Sequence, residues 1–232
     1  MVRVVSTVHK AGWDIYGSRW LEATKHWPDA EFWLYTEGFD LDDPRVRSQR
    51  IESLPRAEAF KDAYKHYKPM AWRWDIVKWS NKVFAAYDAL RDYSGLGIWL
   101  DADCITTEDI PPGYVQAMLK RGCYWAGFRR TGRATETGFW LMDCNHPEHG
   151  RFMDRWVEWL ESGAFQSLDQ WCDASTMDAT LRAFQKNGLI DTSSLSGRFE
   201  SSDLPLQHVP LSQYITHFKG DRKQGLHDAE PV

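Results

Sequence analysis

Cysteine, long apolar runs and excess positive charge are all scarce in this chain. Its 232 residues hold four cysteines, Cys104, Cys123, Cys144 and Cys172. None forms a C-x-x-C pair and no histidine stands at zinc-finger spacing, which argues against a disulfide framework or a structural zinc. Reduced, mostly buried thiols are expected instead. No apolar stretch approaches the roughly 20 residues of a membrane-spanning helix. The opening run Val2 to Val8 is too short and too β-like for a secretory signal, so a cytoplasmic location is expected. Lys and Arg number 28 against 33 Asp and Glu, a formal charge of −5. That balance argues against general affinity for nucleic acid or an anionic membrane, while leaving room for a local basic patch. There is no internal repeat and no low-complexity block.

Tryptophan, by contrast, is abundant, with 13 residues. Most are expected in the core or as groove walls, and aromatic-lined grooves also suit sugars and bases. The length fits one sizeable domain with a proper core. Val2 to Val8 reads as a buried strand, Gly12 to Gly17 as a loop, Ser18 to His26 as a helix and Glu31 to Tyr35 as a second strand. Residues 39 to 67 read as irregular and charged, broken by Pro44 and Pro55. Lys68 to Leu90 is the strongest helical pattern, with Trp72, Ile76, Trp79, Val83 and Leu90 on one face. A strand at 98 to 100, a short helix from Val115 to Lys120, and strands from Tyr124 to Phe128 and Gly138 to Met142 follow. Helices are expected from His149 to Ser162 and Ser175 to Asn187, and the tail from Gly188 is turn-rich with a short strand near Gln207 to Pro210. Strands alternating with helices imply an α/β fold with a mostly parallel sheet covered on both faces. Ligands of such sheets bind at the carboxyl ends of the strands.

One such end carries Ile98-Trp99-Leu100-Asp101-Ala102-Asp103. Acids at i and i+2 of an extended strand end share a face and can approach one cation, which can then take phosphate oxygens as further ligands. Spacing alone is weak evidence, since about one Asp-x-Asp is expected by chance in a chain this long. Asp40-Leu41-Asp42 is such a chance pair, in a turn-rich stretch read as a solvated loop. Two adjacent acids after a buried strand are different, because burying them is costly without a cation.

The string WLDAD, followed by Glu136-Thr137-Gly138-Phe139 and then His217-Phe218-Lys219-Gly220, resembles the GT-A glycosyltransferases. The similarity is to the glycogenin/galactosyltransferase type and related bacterial or phage-encoded enzymes. It implies a single GT-A-like (Rossmann-like) domain over 1–232. The donor-nucleotide half would run to about residue 105, and an acceptor half with a C-terminal segment closing over the donor would follow. It implies manganese (or magnesium) on Asp101, Asp103 and His217, and a nucleoside diphosphate sugar as donor. Lys219 and Gly220 would meet its phosphates, Thr7 and Val8 its base and ribose, and Gly138 the reaction centre. The elementary chemistry agrees: a departing diphosphate gathers negative charge that a cation and a lysine stabilise, and mixed O/N ligands suit manganese.

The remaining positions admit two readings each. Glu136 either contacts sugar hydroxyls or the acceptor, or pairs with Arg133. Asp173 matches the acid that opens a helix near the reaction centre in the family, although Ala174 replaces the usual Gln; otherwise it is a helix N-cap. Asp169-Gln170 spells that doublet about one helical turn too early. Lys78 is chosen over Arg73 and Lys82 as the donor-facing cation of its helix, the alternative being a solvated face. Tyr16 offers a ring to a base. Arg129, Arg130 and Arg133 form a solvated face or attract an anionic acceptor.

The expected activity is transfer of a sugar, most simply from a UDP-sugar, to an acceptor hydroxyl. The acceptor is a glycan or, for a phage enzyme in its host's cytoplasm, a hydroxylated DNA base out of its duplex. A nucleotidyltransferase is the alternative of another class, but Val8-His9-Lys10-Ala11-Gly12 is a poor match to the Gly-rich basic loop it needs. A non-catalytic nucleotide-sugar-binding module is the third reading.

Overall fold

The computed structural model describes residues 1–202 and 204–218. Nine strands occur in this span: β1 (Val2–His9), β2 (Ala30–Glu37), β3 (Arg47–Arg50), β4 (Leu96–Leu100), β5 (Cys104–Thr106), β6 (Cys123–Phe128), β7 (Glu136–Asp143), β8 (Asp191–Ser194) and β9 (Ile215–His217). Seven of them form one sheet in the order β3-β2-β1-β4-β7-β6-β8, while β5 and β9 pair separately. The large sheet is parallel except at β7, which runs against both β4 and β6. The carboxyl ends of β1, β2 and β4 and the amino end of β7 therefore gather at one edge.

Alternation along the strands sorts their side chains into two cores. Val5, Tyr35, Trp99, Trp125 and Trp140 face helices α2 (Pro55–Ala63), α3 (Ile76–Leu90), α5 (His149–Glu161) and α6 (Asp173–Lys186). Val4, Leu34, Ile98, Ala126 and Leu141 face helix α1 (Lys10–Ala23), the short α4 (Tyr114–Met118) and the β5–β9 pair. Tryptophan dominates the centre: Trp20, Trp99, Trp125, Trp140 and Trp156 are fully buried.

Several local expectations are corrected. The glycine-bearing stretch 12–17 is helical, not a loop. A β-carbon on Gly12 would collide with the Tyr16 hydroxyl and one on Gly17 with the Trp13 ring, so these glycines make room for aromatics within α1. His9 caps the helix, its Nδ1 accepting the Gly12 N–H at 3.1 Å. The irregular stretch 39–67 contains β3 and α2, because Pro55 occupies the first helical turn, where its missing N–H costs nothing. The long helix starts at Ile76 rather than Lys68, since Asp75 caps it by accepting the Lys78 N–H at 3.2 Å. Trp72 lies before it in a single 3-10 turn, Trp72–Trp74. In the tail, 205–208 and 210–213 are 3-10 turns, and two strands occur instead of one, at β8 and β9. Asp40 and Asp42 are exposed in a loop, as read from the sequence, and all four cysteines are free thiols. No helix among the described residues is long and apolar enough to cross a membrane.

Candidate active site

A cavity of about 360 Å³ opens at the gathered edge of the sheet. Thr7, Val8 and His9 reach it from β1, Glu37 from β2, Asp101 and Asp103 from the turn after β4, Glu136 and Thr137 from β7, and Asp173 from α6. Tyr16, Lys78, Lys82, Arg130 and His217 complete its polar lining. Nine of the residues singled out in the sequence thus share one cavity. Gly138 adjoins it, and Lys219 and Gly220 lie outside the described residues.

The two acids after β4 do not continue the strand. The Cys104 N–H donates to the Asp101 carbonyl at 2.8 Å, closing a tight turn that aims the carboxylates at different partners. Asp101 Oδ1 accepts from Trp99 Nε1 at 2.6 Å and pairs with Lys82 Nζ at 2.7 Å. Asp103 Oδ1 meets His217 Nε2 at 3.2 Å, and both side chains are buried. That meeting follows from β5–β9 pairing, which sets Cys104 opposite His217. Potential ligand atoms of Asp103, Cys104 and His217 lie within 4.8 Å of one another. The shared-face expectation is therefore replaced by a split pair, with Asp103 on the histidine and Asp101 on a lysine.

Gly138 explains how the histidine fits. A β-carbon there would overlap His217 Cε1 and stand 2.9 Å from its Nδ1. The Gly138 N–H donates to Glu136 Oε1 at 3.1 Å, and its carbonyl accepts the Asp101 N–H at 2.8 Å, locking the start of β7 to the end of β4. Glu136 is buried, with Oε1 3.9 Å from His217 Nδ1 and Oε2 3.6 Å from Arg130 Nη1. Arg130 is a cationic neighbour of Glu136, and its Nε also donates to the Ala134 carbonyl at 2.7 Å. Thr135 fastens this loop to α6, its N–H and hydroxyl donating to Asp178 at 3.0 and 2.6 Å. Arg129 turns away, donating to Gln185 and Thr192. Arg133 is exposed.

Asp173 is the first residue of α6 and not its cap, a position held by Cys172. Its Oδ2 accepts from the Thr137 hydroxyl at 2.7 Å and pairs with Lys82 Nζ at 3.1 Å. Lys82 also donates to the Thr137 carbonyl at 3.0 Å and sits 5.1 Å over the Trp99 ring. Burial pulls its pKa down, but attraction to Asp101 and Asp173 and hydrogen bonds to both overcome that, and the net shift is upward. Lys82 is thus the buried cation of the site, while Lys78, one turn earlier, is exposed at the rim. The available signal was its setting: a lysine directly before Val83-Phe84-Ala85-Ala86 needs an acid to meet it. Tyr16 is a buried residue of α1 rather than a loop ring; burial first, then the nearby Asp103 and Asp101, raise its pKa, so the phenol stays neutral. Gln170, Trp72 and Trp79 also line the cavity.

Five carboxylates line the cavity (Glu37, Asp101, Asp103, Glu136, Asp173) against three permanent cations (Lys78, Lys82, Arg130). A polyanionic ligand would need added positive charge there. A carboxylate facing an imidazole suits a divalent cation such as manganese, so the residues present fit the expected metal.

No protein-family model matches the sequence, and no curated protein matches it either. The architecture does match solved structures. The glycosyltransferase GlyE of Streptococcus pneumoniae aligns over 95% of this chain and 56% of its own, with TM-score 0.52 and 14% identity. Its apo form aligns over 94% and 54%, with TM-score 0.51 and 16% identity. Mouse xyloside xylosyltransferase 1 aligns over 84% and 86%, with TM-score 0.49 and 10% identity. The chain therefore has the mostly parallel α/β, GT-A-like fold of glycosyltransferases, and spans a little over half the length of GlyE.

Proposed function

We propose that the protein is a metal-dependent glycosyltransferase that moves a sugar from a nucleoside diphosphate sugar, most simply a UDP-sugar, to an acceptor hydroxyl. The observation that carries this reading is the 3.2 Å meeting of Asp103 and His217 in an acid-lined cavity of a glycosyltransferase fold. Asp103 and His217 would hold manganese, with Asp101 opening on the same cavity. Once bound, the ion would balance the charge that gathers on the departing diphosphate.

The chain's own groups supply the rest. Thr7 and Val8 at the end of β1 offer backbone and hydroxyl contacts to a nucleoside. Lys82 fixes Asp101 and Asp173 in place through its ion pairs with both. Glu136, beside Arg130, and Asp173 are the acids available to orient sugar and acceptor hydroxyls. A nucleotidyltransferase is disfavoured, because β1 passes straight into α1 with no glycine-rich phosphate loop between them. The test is incubation with a panel of nucleoside diphosphate sugars and manganese, reading released nucleoside diphosphate. Release with one donor, lost on chelation and in Asp103→Asn, supports the reading. Absence of release with every donor and acceptor tried counts against it.

A further inference from the structure

The loop 65–74, between α2 and α3, displays apolar side chains to solvent. Met70 is 88% exposed and Trp72 62% exposed; Met1 is the other large hydrophobic so exposed among the described residues. Residues 68–73 are all exposed. The loop's backbone is nonetheless pinned. The Tyr67 hydroxyl donates to the Trp74 carbonyl at 2.8 Å, Trp79 Nε1 to the Trp72 carbonyl at 2.6 Å, and the Trp171 N–H to the Arg73 carbonyl at 3.0 Å. These bonds fix the backbone at 72–74, so Trp72, whose ring also meets that of Trp79 at 6.1 Å, belongs to an ordered stretch.

Cations surround them. Lys65, Lys68, Arg73 and Lys78 are all exposed, and the acid within this stretch, Asp75, is engaged in capping α3. Lys65 pairs with Asp62 at 2.9 Å. Lys68, Arg73 and Lys78 have no carboxylate partner among the described residues. Arg73 and Lys78 each sit 5.1 Å over an indole, of Trp72 and Trp79 respectively. An apolar tip ringed by cations thus projects from a chain whose formal charge is −5.

We propose that loop 65–74 docks on an anionic phospholipid bilayer. Each component has a place there: methionine in the acyl boundary, tryptophan at the headgroup level, and lysine and arginine on lipid phosphates. A nucleic acid or a free sugar would use the indole and the cations and leave Met70 without a partner. Trp72 and Trp79 also line the cavity. Docking would therefore turn the cavity mouth toward the membrane surface, whatever chemistry the cavity performs.

The test is co-sedimentation of the full chain with vesicles of phosphatidylcholine alone and of phosphatidylcholine containing phosphatidylglycerol. Binding is expected only to the anionic vesicles, weakening as salt is raised. Lys68→Glu with Arg73→Glu should lower the partition coefficient by at least about twentyfold, from about fivefold for each cation lost. Met70→Ser with Trp72→Ser should lower it by about tenfold. Arg151→Glu, at an exposed position of α5, should bind as wild type does. Thermal melts of the variants establish that they fold. Wild-type protein left in the supernatant, or folded loop variants that sediment like wild type, would overturn the proposal. So would retention of single-stranded DNA through these residues with vesicles ignored, which would make the loop a nucleic-acid surface.

Discussion

Lys82 Nζ lies 2.7 Å from Asp101 Oδ1, an ion pair whose side chains are 5% and 25% exposed. Asp173 shares the same ammonium at 3.1 Å, so one lysine holds two acids from distant parts of the chain. Lys82→Met leaves both carboxylates facing one another without their cation. We expect a loss of about 3–5 kcal/mol, the usual range for removing one partner of a buried pair. Urea unfolding measures it, and Lys82→Met combined with Asp173→Asn should cost less than the sum of the two single changes. The lysine's pKa is raised in the folded state above the ordinary 10.5. Its contribution is therefore fully present below about 10.5 and lost only as the solution becomes more alkaline than that. The wild-type minus Lys82→Met difference should stay flat across neutral pH.

Gly138→Ala should act on His217. The added methyl overlaps the imidazole, so His217 must leave Asp103 or β9 must shift from β5. Overpacking of this kind costs about 1–3 kcal/mol. Calorimetric titration with manganese should show affinity reduced at least tenfold, whereas Gly122→Ala, at a distant turn where a φ of +84° makes the added methyl strained, should cost stability alone and leave the affinity unchanged.

His149 supplies a pH dependence away from the site. It is buried, with Nε2 2.7 Å from the Leu90 carbonyl and Nδ1 3.0 Å from the Tyr124 hydroxyl. Burial lowers its pKa below the ordinary 6.5, outweighing the hydrogen bond to Leu90. The unfolded chain thus binds this proton more readily. Its contribution is present above 6.5 and is lost as pH falls through 6.5 toward the folded value. Stability followed by urea unfolding should decline over that interval, and His149→Gln should flatten the decline.

The central strands β1, β2, β4, β6 and β7 were legible as short apolar runs punctuated by turns, with Leu100 marking the end that matters; the edge strands β3 and β8 are polar and were not. The acid pair, Glu136 and Asp173 were legible as acids following or opening regular elements, while His217 was reached through the family resemblance and its basic, glycine-bearing neighbours, its own strand β9 being unread. Helix α1 was not, since its two glycines signal a loop until Tyr16 and Trp13 are seen packed where their β-carbons would be. Lys82 was passed over for Lys78 because both lie on the same side of α3 and only tertiary packing decides which one is covered. The division of labour between Asp101 and Asp103 was invisible for a related reason. It depends on a turn and on a strand pairing between β5 and β9, separated by more than a hundred residues, and neither leaves a local signature.

Asp103 and His217 are proposed to hold a divalent cation for a diphosphate. Manganese electron paramagnetic resonance tests it directly, because the sharp signal of the free aqueous ion is lost on binding. With wild-type protein and UDP, the free signal should fall in proportion to protein added. Asp103→Asn and His217→Ala, shown by their melts to be folded, should leave it largely intact. A free signal undiminished by wild-type protein and UDP, or equally diminished by both variants, would contradict the account.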